Sequence, residues 1–180
     1  GNEVVYGHNN LSYTDGNTVI GYVTYGSEAY ITSVVNTVDT DYTLALPGQL
    51  GGCVVTGFGE SLARGISAAS VVIPRGVRRI EDYAFEGNGS VKSVVFEQGS
   101  QCKSIGYMAF ANTAIEGILL PDSVAGIRNA AFNGASSLRT VYIGKSVAFI
   151  GAKVFEGSSV AYVFNASDIY CGNIDDIDGA

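Results

Sequence analysis

Apolar and polar positions along this chain follow a unit that repeats. The stretch Ile80-Glu81-Asp82-Tyr83-Ala84-Phe85-Glu86-Gly87 returns as Ile105…Ala109-Phe110…Asn112, as Ile127…Ala131-Phe132…Gly134 and as Ile150…Val154-Phe155…Gly157. The phenylalanines lie 25, 22 and 23 residues apart. Upstream, Phe58…Leu62-Ala63…Gly65 keeps the spacing with weaker residues. Self-similarity at a fixed period of roughly 20–29 residues predicts a solenoid, in which each unit is one coil stacked on the next.

Each unit has three parts. The first is a short strand ending in an apolar-x-apolar triplet: Leu44/Leu46, Val71/Ile73, Val94/Phe96, Ile118/Leu120 and Val141/Ile143. Side chains two apart on a strand share a face, so these pairs point inward. The next position is Pro47, Pro74, Glu97, Pro121 or Gly144, and all three prolines of the chain fall at this one phase. Proline lacks the N–H that a central strand needs, so it marks the strand's end. The second part is an apolar-x-x-apolar step: Val55/Phe58, Val77/Ile80, Cys102/Ile105, Val124/Ile127 and Val147/Ile150. The third is the Ala-Phe element, read as a short helical turn because Ile80 and Ala84, four apart, share a helical face. Gly65, Gly87, Asn112, Gly134 and Gly157 follow two residues later and read as left-handed terminators. Ile80, Phe85, Ile105, Phe110, Ile127, Phe132, Ile150 and Phe155 are therefore the expected structural core, with the phenylalanines forming a buried spine.

Residues 1–41 read as β-rich and outside the repeat. Leu11–Thr14, the turn Asp15-Gly16-Asn17 and Thr18–Val23 have the form of a hairpin, and Tyr30–Val35 is a further β-prone run. A first coil would otherwise leave its apolar end in water, so this segment reads as an N-terminal cap. The repeats then occupy 42–165 as about five coils plus a final strand, Val160–Phe164, whose register the pattern does not fix. Residues 166–180 lack the Ala-Phe element and read as a C-terminal cap or tail.

The pattern Val-x-Ile-Pro-x-x-Val-x-x-Ile-x-x-x-Ala-Phe-x-Gly in residues 71–87 resembles the BspA-type (Treponema-like) leucine-rich repeat. The resemblance covers about residues 42–165. Where the family often carries a Cys shortly after the Phe, this chain has Asn88, Thr113, Ala135 and Ser158. The resemblance implies an α/β repeat fold: a right-handed leucine-rich-repeat solenoid with a curved parallel β-sheet and short helical turns on the other side. It also implies a secreted or cell-surface protein of bacteria or protists, engaged in adhesion, with no enzymatic activity in the repeat itself.

Composition narrows the chemistry. The net charge is −7, from 17 acidic and 10 basic residues, whereas a nucleic-acid binder needs a positive footprint. Arg75, Arg78 and Arg79 form the one local basic cluster and read as solvated arginines. The longest apolar runs fall short of the ~20 residues that span a bilayer, so no membrane insertion is expected. No basic segment followed by an apolar one opens the chain, so a secretion leader is not expected within it. Cys53, Cys102 and Cys171 are too few and too odd in number for a disulfide framework. Cys102 occupies the phase of Val55, Val77, Val124 and Val147, so it reads as core. His8 is the only histidine, no Cys-x-x-Cys or His-x-x-x-His spacing occurs, and Asp175, Asp176 and Asp178 do not match a calcium loop. No catalytic residue, metal or cofactor is expected. The sequons at Asn10, Asn88 and Asn165 matter only in a secreted eukaryotic setting.

Strand phase carries the functional expectation. If Val71 and Ile73 point inward, Val72 points outward, and Ala45, Val95, Leu119 and Tyr142 share its row. A solvated strand face is normally polar, yet this row is apolar in every coil and is flanked by the small residues Thr43, Ser70, Ser93, Gly117 and Thr140. Val72, Val95, Leu119 and Tyr142 are thus the candidate ligand-binding residues for an extracellular protein or glycan. The same stripe offers a surface for self-association. The alternative is a structural spacer array in a larger surface protein, without a ligand of its own.

Overall fold

The structure is a computed structural model and describes residues 10–36 and 41–168. His8, Cys171 and the acidic residues Asp175, Asp176 and Asp178 lie outside the described residues. The N-terminal alternation folds as strands β1 (Leu11–Asp15), β2 (Thr18–Tyr25) and β3 (Glu28–Asn36). β1 and β2 pair antiparallel, with Asp15 opposite Thr18, so the turn is Gly16-Asn17 and Asp15 belongs to the strand. Next come β4 (Thr43–Ala45), β5 (Gln49–Leu50) and β6 (Cys53–Phe58). The first sheet runs β1-β2-β3-β6-β5, with β3 and β6 parallel.

Each following coil supplies one longer and one two-residue strand: β7 (Ser70–Ile73) and β8 (Arg79–Ile80), then β9 (Ser93–Phe96) and β10 (Ser104–Ile105). The series continues with β11 (Gly117–Leu119), β12 (Gly126–Ile127), β13 (Thr140–Ile143), β14 (Phe149–Ile150) and β15 (Tyr162–Asn165). The longer strands form a six-stranded parallel sheet, β4-β7-β9-β11-β13-β15, and the short ones a four-stranded parallel sheet, β8-β10-β12-β14. The result is a parallel-stranded β-solenoid. The Arg78 N–H donates to the Thr56 carbonyl at 3.0 Å, so β6 continues the four-stranded sheet into the first one.

The Ala-Phe elements are not helical, and the α/β class expected from them gives way to an all-β one. Among the described residues the helical structure is a single 3₁₀ turn, Leu62–Gly65, in the degenerate first unit. Hydrogen bonding explains the difference. Ala84 and Glu86 donate to Glu81 and Tyr83, three residues back, whereas Tyr83, Phe85 and Gly87 donate to Tyr107, Ala109 and Ala111 of the next coil at 2.9, 2.8 and 2.9 Å. An α-helix would spend all of these N–H groups within the coil, on carbonyls four residues back. Alternating the donors requires left-handed backbone in each coil. It falls on the expected terminators Gly87, Asn112, Gly134 and Gly157, and also on Tyr83, Met108, Ala130 and Lys153. For non-glycine residues this conformation costs roughly 1–2 kcal/mol each, offset by the bonds between coils. Gly65 departs from the expectation, because its φ is not positive. A Cβ there would stand 2.0 Å from the Val34 carbonyl oxygen, so glycine lets β3 pass close to the first coil.

One continuous core runs through the solenoid and into the N-terminal sheet, joining Ile20, Ile31 and Val34 to the coil interiors. Phe85, Phe110, Phe132 and Phe155 are buried and stack face to face, with centroids 5.1, 5.3 and 5.6 Å apart. In the first unit the spine position is Ala63, and Phe58 supplies the ring instead, meeting Phe85 edge-on at 6.4 Å and 86°. Of the inward triplets, Phe96 is the exception, packing only half-buried against the core. Ile150 is likewise only partly buried.

Two measurements check this packing. Phe110→Ala removes a ring stacked between Phe85 and Phe132 and should cost about 3–5 kcal/mol in urea unfolding. A Phe110→Ala change within ~0.5 kcal/mol of wild type, the range of neutral surface substitutions, would contradict the spine. Cys102 is fully buried and burial pushes its thiol up to about 11. It should resist a thiol reagent at pH 8 until denaturant is added, while half-buried Cys53 reacts before it.

Candidate binding surface

Strand pairing sets the outer face of the six-stranded sheet. Ala45 lies beside Val72, Val72 beside Val95, Leu119 beside Tyr142, and Tyr142 beside Phe164. The Ser93–Gly117 pairing carries the same row from β9 to β11. Leu119 is 74% exposed, Phe164 61% and Val95 47%, while Val72 and Tyr142 are half-buried. Six strands at ~4.8 Å spacing make this apolar row roughly 24 Å long. The flanking row is Thr43, Ser70, Ser93, Gly117, Thr140 and then Tyr162, which is small and uncharged until its last member.

Phe164 and Tyr162 extend the surface beyond what the pattern reveals. Their register is hidden because Asn165 pairs with Ile143, placing a polar residue where earlier coils have an inward apolar one. The usable signal is Val163, which pairs with Val141 and packs against the core.

A cavity of about 500 Å³ opens beside this row, between the loop Glu97–Ser100 and the side chains of Leu119, Pro121, Asp122 and Tyr142. Its wall has a sequence origin. From Phe96 to Ile105 the chain takes two residues more than from Ile73 to Ile80, Leu120 to Ile127 or Ile143 to Ile150. That insertion swells one corner of the coil and accounts for the long 25-residue spacing. A smaller groove of about 310 Å³ runs along Ser93, Val95, Gly117, Leu119 and Thr140. The floor is apolar and the wall polar, the mixture that binding clefts use for affinity and orientation.

Charged groups near these surfaces are already engaged. Glu97 accepts the Arg75 N–H at 2.9 Å and lies 3.8 Å from its Nε. Arg78 forks onto Glu28, and Arg79 stands 3.7 Å from Glu81. Every arginine of the basic cluster thus faces a carboxylate, which leaves no free cationic footprint there. Asn88, the central sequon, donates its two amide hydrogens to Ala63 and Ile66 carbonyls and accepts from the Ser90 and Val91 N–H groups. Its side chain is saturated, so a glycan on Nδ2 would break the bracket between two coils. Among the described residues no group of three His, Cys, Asp or Glu is placed to hold a metal ion, and no helix is long and apolar enough to cross a membrane.

Glu81 carries a pH dependence. Burial holds its carboxyl above the ordinary value of 4.5; Arg79 opposes this, and Asp82 and Glu60 add to it. A carboxyl with a raised folded-state pKa favours folding while protonated. That contribution is complete below 4.5 and lost as pH rises through the folded value. Thermal melts of wild type and Glu81→Gln between pH 4 and 7 should therefore diverge as pH rises, increasingly in favour of the variant. A gap that stays flat or reverses would refute the assignment.

The geometry agrees with known proteins. The BspA type leucine rich repeat region matches residues 59–173 as six copies. The T. pallidum leucine-rich repeat protein superposes with a TM-score of 0.70 at 26% identity, over 80% of this chain and 67% of its own. A leucine-rich repeat protein from Bacteroides ovatus gives 0.67 at 20% identity, over 84% of this chain and 40% of its own. The pneumococcal vaccine antigen PcpA gives 0.62 at 19%, over 88% of this chain and 48% of its own. The chain thus spans about half the length of the pneumococcal structure and less than half of the Bacteroides one. No curated protein matches it. With six repeat copies matched over more than half its length, the chain belongs to the BspA-type leucine-rich repeat family.

Proposed function

We propose that this chain is a non-enzymatic module of a cell-surface or secreted protein that binds a protein or glycan through the outer face of its six-stranded sheet. The observation that carries this reading is the unbroken apolar row Val72, Val95, Leu119, Tyr142 and Phe164, in which Leu119 is more exposed than any other large apolar residue described. Contiguous exposed apolar surface on a soluble fold usually marks an interaction site. Tyr142, next to the row's Phe164 end and beside the cavity, is the amphipathic anchor, and aromatic residues of this kind often dominate binding energies. The surface placement follows the family, and the pneumococcal neighbour is a vaccine antigen.

A Leu119→Lys/Tyr142→Ser double variant tests the reading, melted for stability and assayed for adhesion to immobilised matrix proteins and glycans. Stability should stay within roughly 1 kcal/mol, since Leu119 contributes little to the core, while adhesion falls. Unchanged adhesion would sink the proposal and favour the spacer reading.

A further inference from the structure

The four-stranded sheet carries a groove whose lining has a different chemistry from the apolar row. Asp82, Tyr107, Arg128 and Asn129, at the corner following the short strands, and Phe149, within β14, line this groove of about 360 Å³. They come from four successive coils, stacked by the pairing of β8, β10, β12 and β14. Two glycines make the space. Gly106 sits between the positions of Glu81 and Arg128, and a Cβ there would meet the Asp82 nitrogen at 2.6 Å. Because nothing projects from Gly106, Arg128 reaches across that coil to Asp82, two coils away, with Nη1 at 3.2 Å from Oδ1. Gly126 pairs with Phe149, whose ring leans over it.

The polar groups are fixed in place. Asp82 Oδ1 also accepts the Tyr107 N–H at 2.7 Å, and Asn129 Oδ1 accepts the Ala152 N–H at 3.1 Å. Among the described residues the Asn129 amide nitrogen has no acceptor, and the guanidinium keeps donors beyond the one Asp82 takes. Tyr107 is braced edge-on by Tyr83, with centroids 5.4 Å apart at 90°. Phe149 is 56% exposed although it sits in a strand.

From this arrangement we infer that the groove binds a neutral pyranose unit of a glycan. A pyranose ring has an apolar C–H face that packs on aromatic rings, here Tyr107 and Phe149. Its hydroxyls can accept from the donors left over in the groove, the remaining Arg128 guanidinium N–H groups and the Asn129 amide nitrogen, while Asp82 holds Arg128 in place. Arg128 and Asp82 neutralise each other, so the groove offers directed hydrogen bonds rather than net charge, which selects a neutral sugar over an acidic one. The volume lies at the small end of the range for small-molecule sites. This site is on a different sheet from the apolar row, and it stands or falls independently of that surface.

The test is a titration of the ¹⁵N-labelled chain with the methyl glycosides of glucose, galactose, mannose and N-acetylglucosamine, with glucuronic acid as the charged control. At least one neutral glycoside should give saturable shifts at the Tyr107, Asn129 and Phe149 amides with a millimolar Kd. Phe149→Ala, an exposed position, and Arg128→Lys, which keeps the charge but loses the fork, should each weaken binding by about tenfold, one lost contact's worth. The Leu119→Lys/Tyr142→Ser variant should bind as wild type does. No saturable shift with any neutral glycoside, preference for glucuronic acid, indifference to Phe149→Ala in a folded variant, or loss in the double variant would each overturn the assignment.

Discussion

No coil of this protein can satisfy its own backbone. At the corners of Phe85, Phe110 and Phe132 the N–H groups alternate, one turning back within the coil and the next donating to the following coil. The same alternation holds the corner in a left-handed and right-handed zigzag and places Phe85, Phe110, Phe132 and Phe155 in line. Ring stacking and inter-coil hydrogen bonding are thus one constraint expressed twice. It ties side-chain packing to the backbone ladder, as expected of an array whose units contact only their neighbours. The unusual residues at positive φ, Tyr83, Met108, Ala130 and Lys153, exist to serve it.

How much of this is legible in the sequence depends on how strongly each feature restricts residue type. The period, the inward triplets and the strand ends are written in Val, Ile and Pro, which few other roles explain. The left-handed sites two residues before each Phe are not, because Tyr, Met, Ala and Lys share no property that marks them. The Ala-Phe corners mislead for a related reason: Ile80 and Ala84 are four apart on either a helix or a double turn. Two-residue strands such as Arg79–Ile80 are too short for alternation to show. The outer apolar row is readable from strand phase, but Phe164 is not, since Asn165 masks the register of the last strand. The groove around Arg128 is invisible in the chain, because Asp82 and Arg128 lie 46 positions apart and meet only once the coils are stacked.

The two outer faces offer different surfaces from one scaffold. The six-stranded sheet displays apolar side chains over a polar corner loop, and the four-stranded sheet displays aromatic rings among planar polar groups. Both depend on places where the repeat is broken: a two-residue insertion after Phe96 in one case, glycines at 106 and 126 in the other. Both proposed binding surfaces arise from departures from the period, while the period itself supplies rigidity.

The close approaches at the corners also fix the order of the coils. Asp82 fills the place of a side chain on Gly106, Asn112 that on Gly134, Asp122 that on Gly144, and Asn129 that on Gly151. Each is a lock between one coil and its particular successor. Solenoids of this kind are usually pictured as strings of exchangeable units that grow by copying. Here a duplicated or transposed coil would set side chain against side chain at these joints. Lengthening the array therefore requires a glycine to appear together with each new corner Asp or Asn, so the sequence records which coil was built to follow which.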